Sequence, residues 1–134
     1  MELVPHTNLM HITNRLVTTI QQEVNRSKVG VRNGVVLNFK DPDYSAEKGG
    51  YHPVEIAIQS DGRLMYITEF SFVGMRSYLE LAKELDFDFE HGVFQQFDRE
   101  YPIKQTAELF ALWQRNFTAY HRMGVYVVTV GELS

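Results

Sequence analysis

The stretch from Val54 to Val73 constrains the fold more than any other part of this sequence. Val54, Ile56 and Ile58 alternate with Glu55, Ala57 and Gln59, and a second alternating run extends from Arg63 to Val73. Side chains on a strand point to opposite faces in turn, so period two over such lengths predicts two half-buried strands. Asp61-Gly62 lies between them, and Asp-Gly suits the positive φ of tight hairpin turns. A two-residue turn pairs Ser60 with Arg63, Ile58 with Met65, Ile56 with Ile67 and Val54 with Glu69. A three-residue turn shifts this register by one and exchanges the faces.

Other elements follow from similar patterns. Leu9, Ile12, Leu16, Ile20 and Val24 recur every three or four residues, which predicts an amphipathic helix over 9–26, with Thr7 or Asn8 as its cap and Gly30 beyond its end. Val35, Leu37 and Phe39 alternate with Val36, Asn38 and Lys40, as a strand does. Residues 41–53 read as a polar loop. Tyr78, Leu81, Ala82 and Leu85 suit a short helix, and Leu85 to Glu90 a strand with an acidic outer face. Residues 106–123 predict a helix with Thr106 as N-cap, Leu109, Phe110, Trp113, Phe117 and Tyr120 as its stripe, and Gly124 as its stop. Val125 to Val130 is apolar on both faces and reads as a covered, central strand. The order predicts an α+β fold, a mostly antiparallel sheet of four to five strands with two main helices packed on it. At 134 residues, the whole chain is expected to be a single domain with residues 1–8 flexible.

Composition narrows the chemistry. The sequence has 44% hydrophobic and 22% charged residues, as ordinary globular chains do. It contains no cysteine, which excludes disulfides, thiol catalysis and cysteine-based metal centres. No apolar stretch has the length of a signal-peptide core or a membrane span, so a cytoplasmic protein without membrane contact is expected. The formal charge of −4, with no basic stripe, argues against nucleic-acid binding.

Several stretches carry a family resemblance. They are Asn38 to Pro42 with Tyr44-Ser45, Gly49 to Ile56, Tyr66 to Ser71, Leu85 to Phe89 with Gly92 to Gln95, and Glu108 to Gln114 through Met123 to Tyr126. Over about residues 30–131 the chain resembles the bacterial family known as domain of unknown function 2787. The resemblance implies a bacterial protein and carries no activity, cofactor or catalytic residue.

Two functional readings follow from the residues. One is a small cytoplasmic protein-interaction or regulatory module, its partner an unidentified protein or a second copy in a homodimer. Its binding residues would be Tyr51, Tyr66, Phe70 and Phe72, because helices on one face of the sheet would leave an aromatic patch on the other. The alternative is a small enzyme using general acid–base catalysis at a polar corner between the 41–53 loop and the 54–72 hairpin. Its candidates are Asp41, Tyr44, His52 and Glu69, with His52 and Glu69 as base and orienter. No cofactor is expected. No metal site is expected either: Asp86, Asp88 and Glu90 begin like a calcium loop, but His91 stands at its sixth position and Phe97 at its twelfth. The five histidines lack zinc spacing, and phosphate-loop, dinucleotide and nucleophile-elbow motifs are missing.

Overall fold

The computed structural model describes residues 1–4, 9–30, 32–74 and 79–133. The elements are α1 (Asn14–Arg26), β1 (Val35–Lys40), β2 (Val54–Ile58), β3 (Leu64–Val73), β4 (Glu80–Asp88), β5 (Val93–Gln96), β6 (Arg99–Pro102), a 3-10 turn (Ile103–Thr106), α2 (Ala107–Arg122) and β7 (Val127–Glu132). All strands join one antiparallel sheet in the order β6-β5-β4-β3-β2-β1-β7.

The sheet therefore has seven strands rather than four to five. The additional strands come from residues 80–102. Leu81, Ala82 and Leu85, expected on a short helix, lie on β4, whose pairing to β3 overrides the local spacing. Tyr78 falls outside the described residues. β5 and β6 are only four residues each, too short for a readable period. β7 also differs from expectation, being an edge strand paired to β1 alone. Val128 and Val130 pack on the core while Val127 is 57% exposed. Apolar side chains on both faces do not by themselves make a strand central.

The first helix begins later than the spacing implies. Thr13 is its cap, its Oγ1 accepting the Leu16 N–H at 3.2 Å. The buried Gln114 side chain fixes the segment before it, accepting from the Thr13 N–H at 2.8 Å and donating to the His11 carbonyl at 3.1 Å. These bonds spend backbone groups that a longer helix would use internally. Ile12 is buried but precedes the helix, and Thr7 and Asn8 lie outside the described residues. Residues 1–4 contact the body of the domain. Leu3 is buried, its N–H donates to Gln21 Oε1, and the Val4 N–H donates to the Gly62 carbonyl.

The β2–β3 register resolves the two turn alternatives by combining them. The Gln59 N–H donates to the Arg63 carbonyl and the Gly62 N–H to the Gln59 carbonyl, so Ser60, Asp61 and Gly62 form a three-residue loop. Gly62 has φ +89° and lies under the Glu2 carbonyl, so only glycine fits there. Ile58 then pairs with Leu64 instead of Met65. A bulge at Met65 restores the two-residue register beyond it, with Ile56 on Ile67 and Val54 on Glu69.

Both helices pack on one face of the sheet, against Val35, Leu37, Phe39, Ile56 and Ile67. α2 carries the chain from the β6 edge to the β7 edge, and its aromatic residues step across the strands. Phe110 meets Phe87 at 4.9 Å between ring centroids, and Phe117 meets Phe39 at 4.9 Å. Leu109, expected in the stripe, is 37% exposed, and the buried Gln114 and Thr118 complete the packed face. Thr106 stands at the cap position without capping; its hydroxyl donates to the Ile103 carbonyl. No described helix is long and apolar enough to cross a membrane.

Candidate functional site

The 41–53 loop is held by one carboxylate. Asp41 accepts from the Asp43 N–H at 2.9 Å and the Tyr51 N–H at 3.0 Å, while its carbonyl accepts from Tyr44 N–H. Ser45 and Gly49 exchange a pair of backbone hydrogen bonds inside the loop. Gly50 has φ +121°, and a Cβ there would stand 2.9 Å from Asp41 Oδ2 and 3.0 Å from Tyr44 Cα. The loop thus folds closely on Asp41. Asp41 is an organiser of the backbone, not a member of the acid–base cluster.

This arrangement delivers three side chains. Tyr51 lays its ring 4.6 Å from that of Tyr120 on α2. The Tyr44 ring lies 5.2 Å from both the His52 and Phe72 rings, and its hydroxyl accepts the Phe72 N–H. His52 comes to the end of the β3–β4 ladder, where two carboxylates wait. Its Nδ1 lies 2.9 Å from Glu84 Oε2 and 3.2 Å from Glu69 Oε2. Nε2 has no partner among the described residues.

The two carboxylates arrive by different routes. Glu69 pairs with Val54 and so faces inward among apolar side chains. Burial pushes its carboxyl above the usual range, against the opposing pull of the Trp113 N–H and of His52. Trp113 Nε1 donates to Glu69 Oε1 at 3.0 Å. Glu84 arrives through a second bulge: Glu69 pairs with Leu85 and Phe70 with Lys83, leaving Glu84 unpaired between them. The bulge brings its carboxylate to the face that strict alternation would deny it.

Beside this cluster is a pocket of about 420 Å³ between α2, the loop and the β3–β4 ladder. His52 and Glu69 line it with Tyr51, Trp113, Tyr120 and Tyr126. Burial, together with the charge of Glu69, holds the Tyr126 hydroxyl above the ordinary tyrosine range, so it stays protonated. The corner allows two kinds of chemistry. An imidazole oriented through Nδ1 by a carboxylate leaves Nε2 to take a proton. The ligand atoms of His52, Glu69 and Glu84 also lie within 4.8 Å of one another, a donor set of the type that holds a divalent cation.

The structure thus brings His52 and Glu69 together, with Tyr44 against the imidazole and Tyr51 in the pocket wall. Tyr66, Phe70 and Phe72 lie on the opposite face of the sheet, half-buried. The Tyr66 hydroxyl donates to the Glu55 carboxylate and Phe72 stacks under Tyr44. Asp86, expected on a solvated strand face, is 9% exposed and accepts from Thr68 Oγ1 at 2.8 Å. Glu84, Tyr120, Tyr126 and the polar role of Trp113 escaped the sequence reading. For Trp113 there was a signal, since a buried indole N–H needs an acceptor.

The family profile described as "Protein of unknown function (DUF2787)" matches residues 14–131, nearly the whole chain. The chain belongs to the DUF2787 family. Two solved structures from Vibrio cholerae are similar to this DUF2787 member. One is the hypothetical protein VC0508 of the VSP-II pathogenicity island, 33% identical with a TM-score of 0.81, over 95% of this chain and 98% of that one. The other is the conserved hypothetical protein VC1805 of pathogenicity island VPI-2, 35% identical with a TM-score of 0.74, over 93% and 98%. VC1805 is described as sharing structural homology with the human P32 protein. No curated protein sequence matches the chain at a significant level. The family is bacterial, and its name assigns no activity.

Proposed function

We propose that the chain is a small-molecule-binding protein whose working part is the aromatic pocket, with His52 oriented to exchange a proton with what binds there. One observation carries the reading: His52 and Glu69, from a loop and a strand, converge on the rim of a concave cavity lined by aromatic and leucine side chains. The pocket takes precedence over the outer aromatic face because Tyr66 and Phe72 are engaged within the chain. We further propose the cytoplasm as its compartment, a reading with which a cysteine-free sequence is compatible.

The sole tryptophan, Trp113, gives the test a reporter, because its indole N–H is bonded to Glu69. A metabolite library screened by ¹⁵N–¹H NMR should yield binders that move the Trp113 indole resonance. His52→Ala should weaken them. Binders that move only Tyr66 and Phe70 amides, or self-association through that face without any effect on Trp113, would refute the pocket reading.

A further inference from the structure

The pocket has a charge character that selects among ligands. Among the described residues, Glu69 and the titratable His52 are the acid and the base that line it, and no lysine or arginine does. Glu84 adds a second carboxylate at the same imidazole nitrogen. One N–H cannot be donated fully to both. The trio has two carboxyl groups for one imidazole, so its acidic groups outnumber its basic one. Asp41 stands close enough for its charge to act on Tyr126. The walls beside this charge include Tyr51, Tyr120 and Tyr126, rings of the kind whose faces attract cations, while Trp113 stacks with Phe110 and Phe117 and turns its N–H edge to Glu69.

An anion would meet carboxylates and aromatic faces without a cationic side chain to hold it. A neutral ligand would leave the negative charge uncompensated. A cation with an organic body satisfies both the walls and the corner. Resting on the binding reading above, we propose that the ligand of this pocket is an organic cation whose ammonium or amidinium head sits beside Glu69 within the aromatic walls. A bare divalent ion would use the carboxylates and imidazole alone and leave the ring faces without a role.

The test titrates the intact chain with choline and with its neutral carbon isostere, 3,3-dimethylbutan-1-ol, following Trp113 fluorescence. Benzylamine against benzyl alcohol forms a second pair, and benzoate the anionic arm. The cations should bind at least about tenfold more tightly than the isosteres. Glu69→Gln should shrink that ratio to about threefold or less. The wild-type ratio decides the matter even if the variant folds poorly. Isosteres or benzoate binding as well as the cations would overturn the charge assignment while leaving a ligand pocket. No response to any organic probe would overturn the pocket reading itself. Saturable Mn²⁺ or Zn²⁺ binding lost in His52→Ala, with no amine response, would replace the organic cation with a metal ion.

Discussion

The two faces of the sheet treat their polar groups differently. On the outer face polar groups are engaged within the chain: Tyr66 donates to Glu55, the buried Thr68 hydroxyl to Asp86, and Asp88 accepts from the Glu90 and His91 N–H groups. At the inner corner two carboxylates share one imidazole nitrogen while the other nitrogen has no partner among the described residues. A matched network contributes to stability and needs nothing more. An oversubscribed one is a place where the fold gives up stability, which is characteristic of sites that act on something else. The contrast separates a face that is finished from a corner that a ligand would complete.

The largest expected effect lies on the outer face. Thr68→Val removes the hydroxyl that donates to Asp86 and leaves a buried carboxylate without it, which should cost about 1–3 kcal/mol. Urea unfolding measures this, and a change below about 0.5 kcal/mol would erase the contrast between the faces. The inner corner should respond with the opposite sign. Glu69→Gln keeps an acceptor for Trp113 and removes the desolvated charge, so it should stabilise by up to about 1 kcal/mol near neutral pH.

The pH dependence of that gain follows from the direction of the shift. The folded-state pKa of Glu69 is raised above its ordinary 4.5. The native state therefore holds this proton more tightly, and the associated stability is present below about pH 4.5 and lost as pH rises through the folded value. The advantage of Glu69→Gln should consequently be small in acid and grow above that window. A difference that shrinks with rising pH would contradict the burial argument.

The smallest effect concerns His91, an exposed residue on the rim of the outer face. The hydrogen bond and charge of Asp88, 2.8 Å from its Nδ1, raise its pKa above 6.5. An NMR titration should place the midpoint above that value, and Asp88→Asn should return it. Thermal stability should barely change, because the pair is solvated.

Much of the fold could be read locally. The β2–β3 hairpin, β1 and α2 each carry their period within a few residues, but Glu69 meets Val54 only because the bulge at Met65 offsets the three-residue turn. His52 could be placed near Glu69 because only Pro53 separates it from β2. Glu84 could not, since a bulge is decided by the partner strand and leaves no trace in the alternation of its own. The same applies to β5 and β6, whose evidence is the neighbour they pair with. β7 was misplaced because Val125 to Val130 carries composition without position. The pocket walls from Tyr120 and Tyr126 depend on α2 crossing the whole sheet, a long-range fact that no window of sequence contains.

Glu84 is, in terms of chain length, a supernumerary residue. Excising it would leave Glu69 opposite Leu85 and Phe70 opposite Lys83, as they are now. Apart from its side chain, the sheet would lose the carbonyl that accepts the Phe97 N–H. The scaffold and one of its two carboxylates are therefore separable at a single codon, so a chain of this fold can acquire or discard that charge without relearning how to fold.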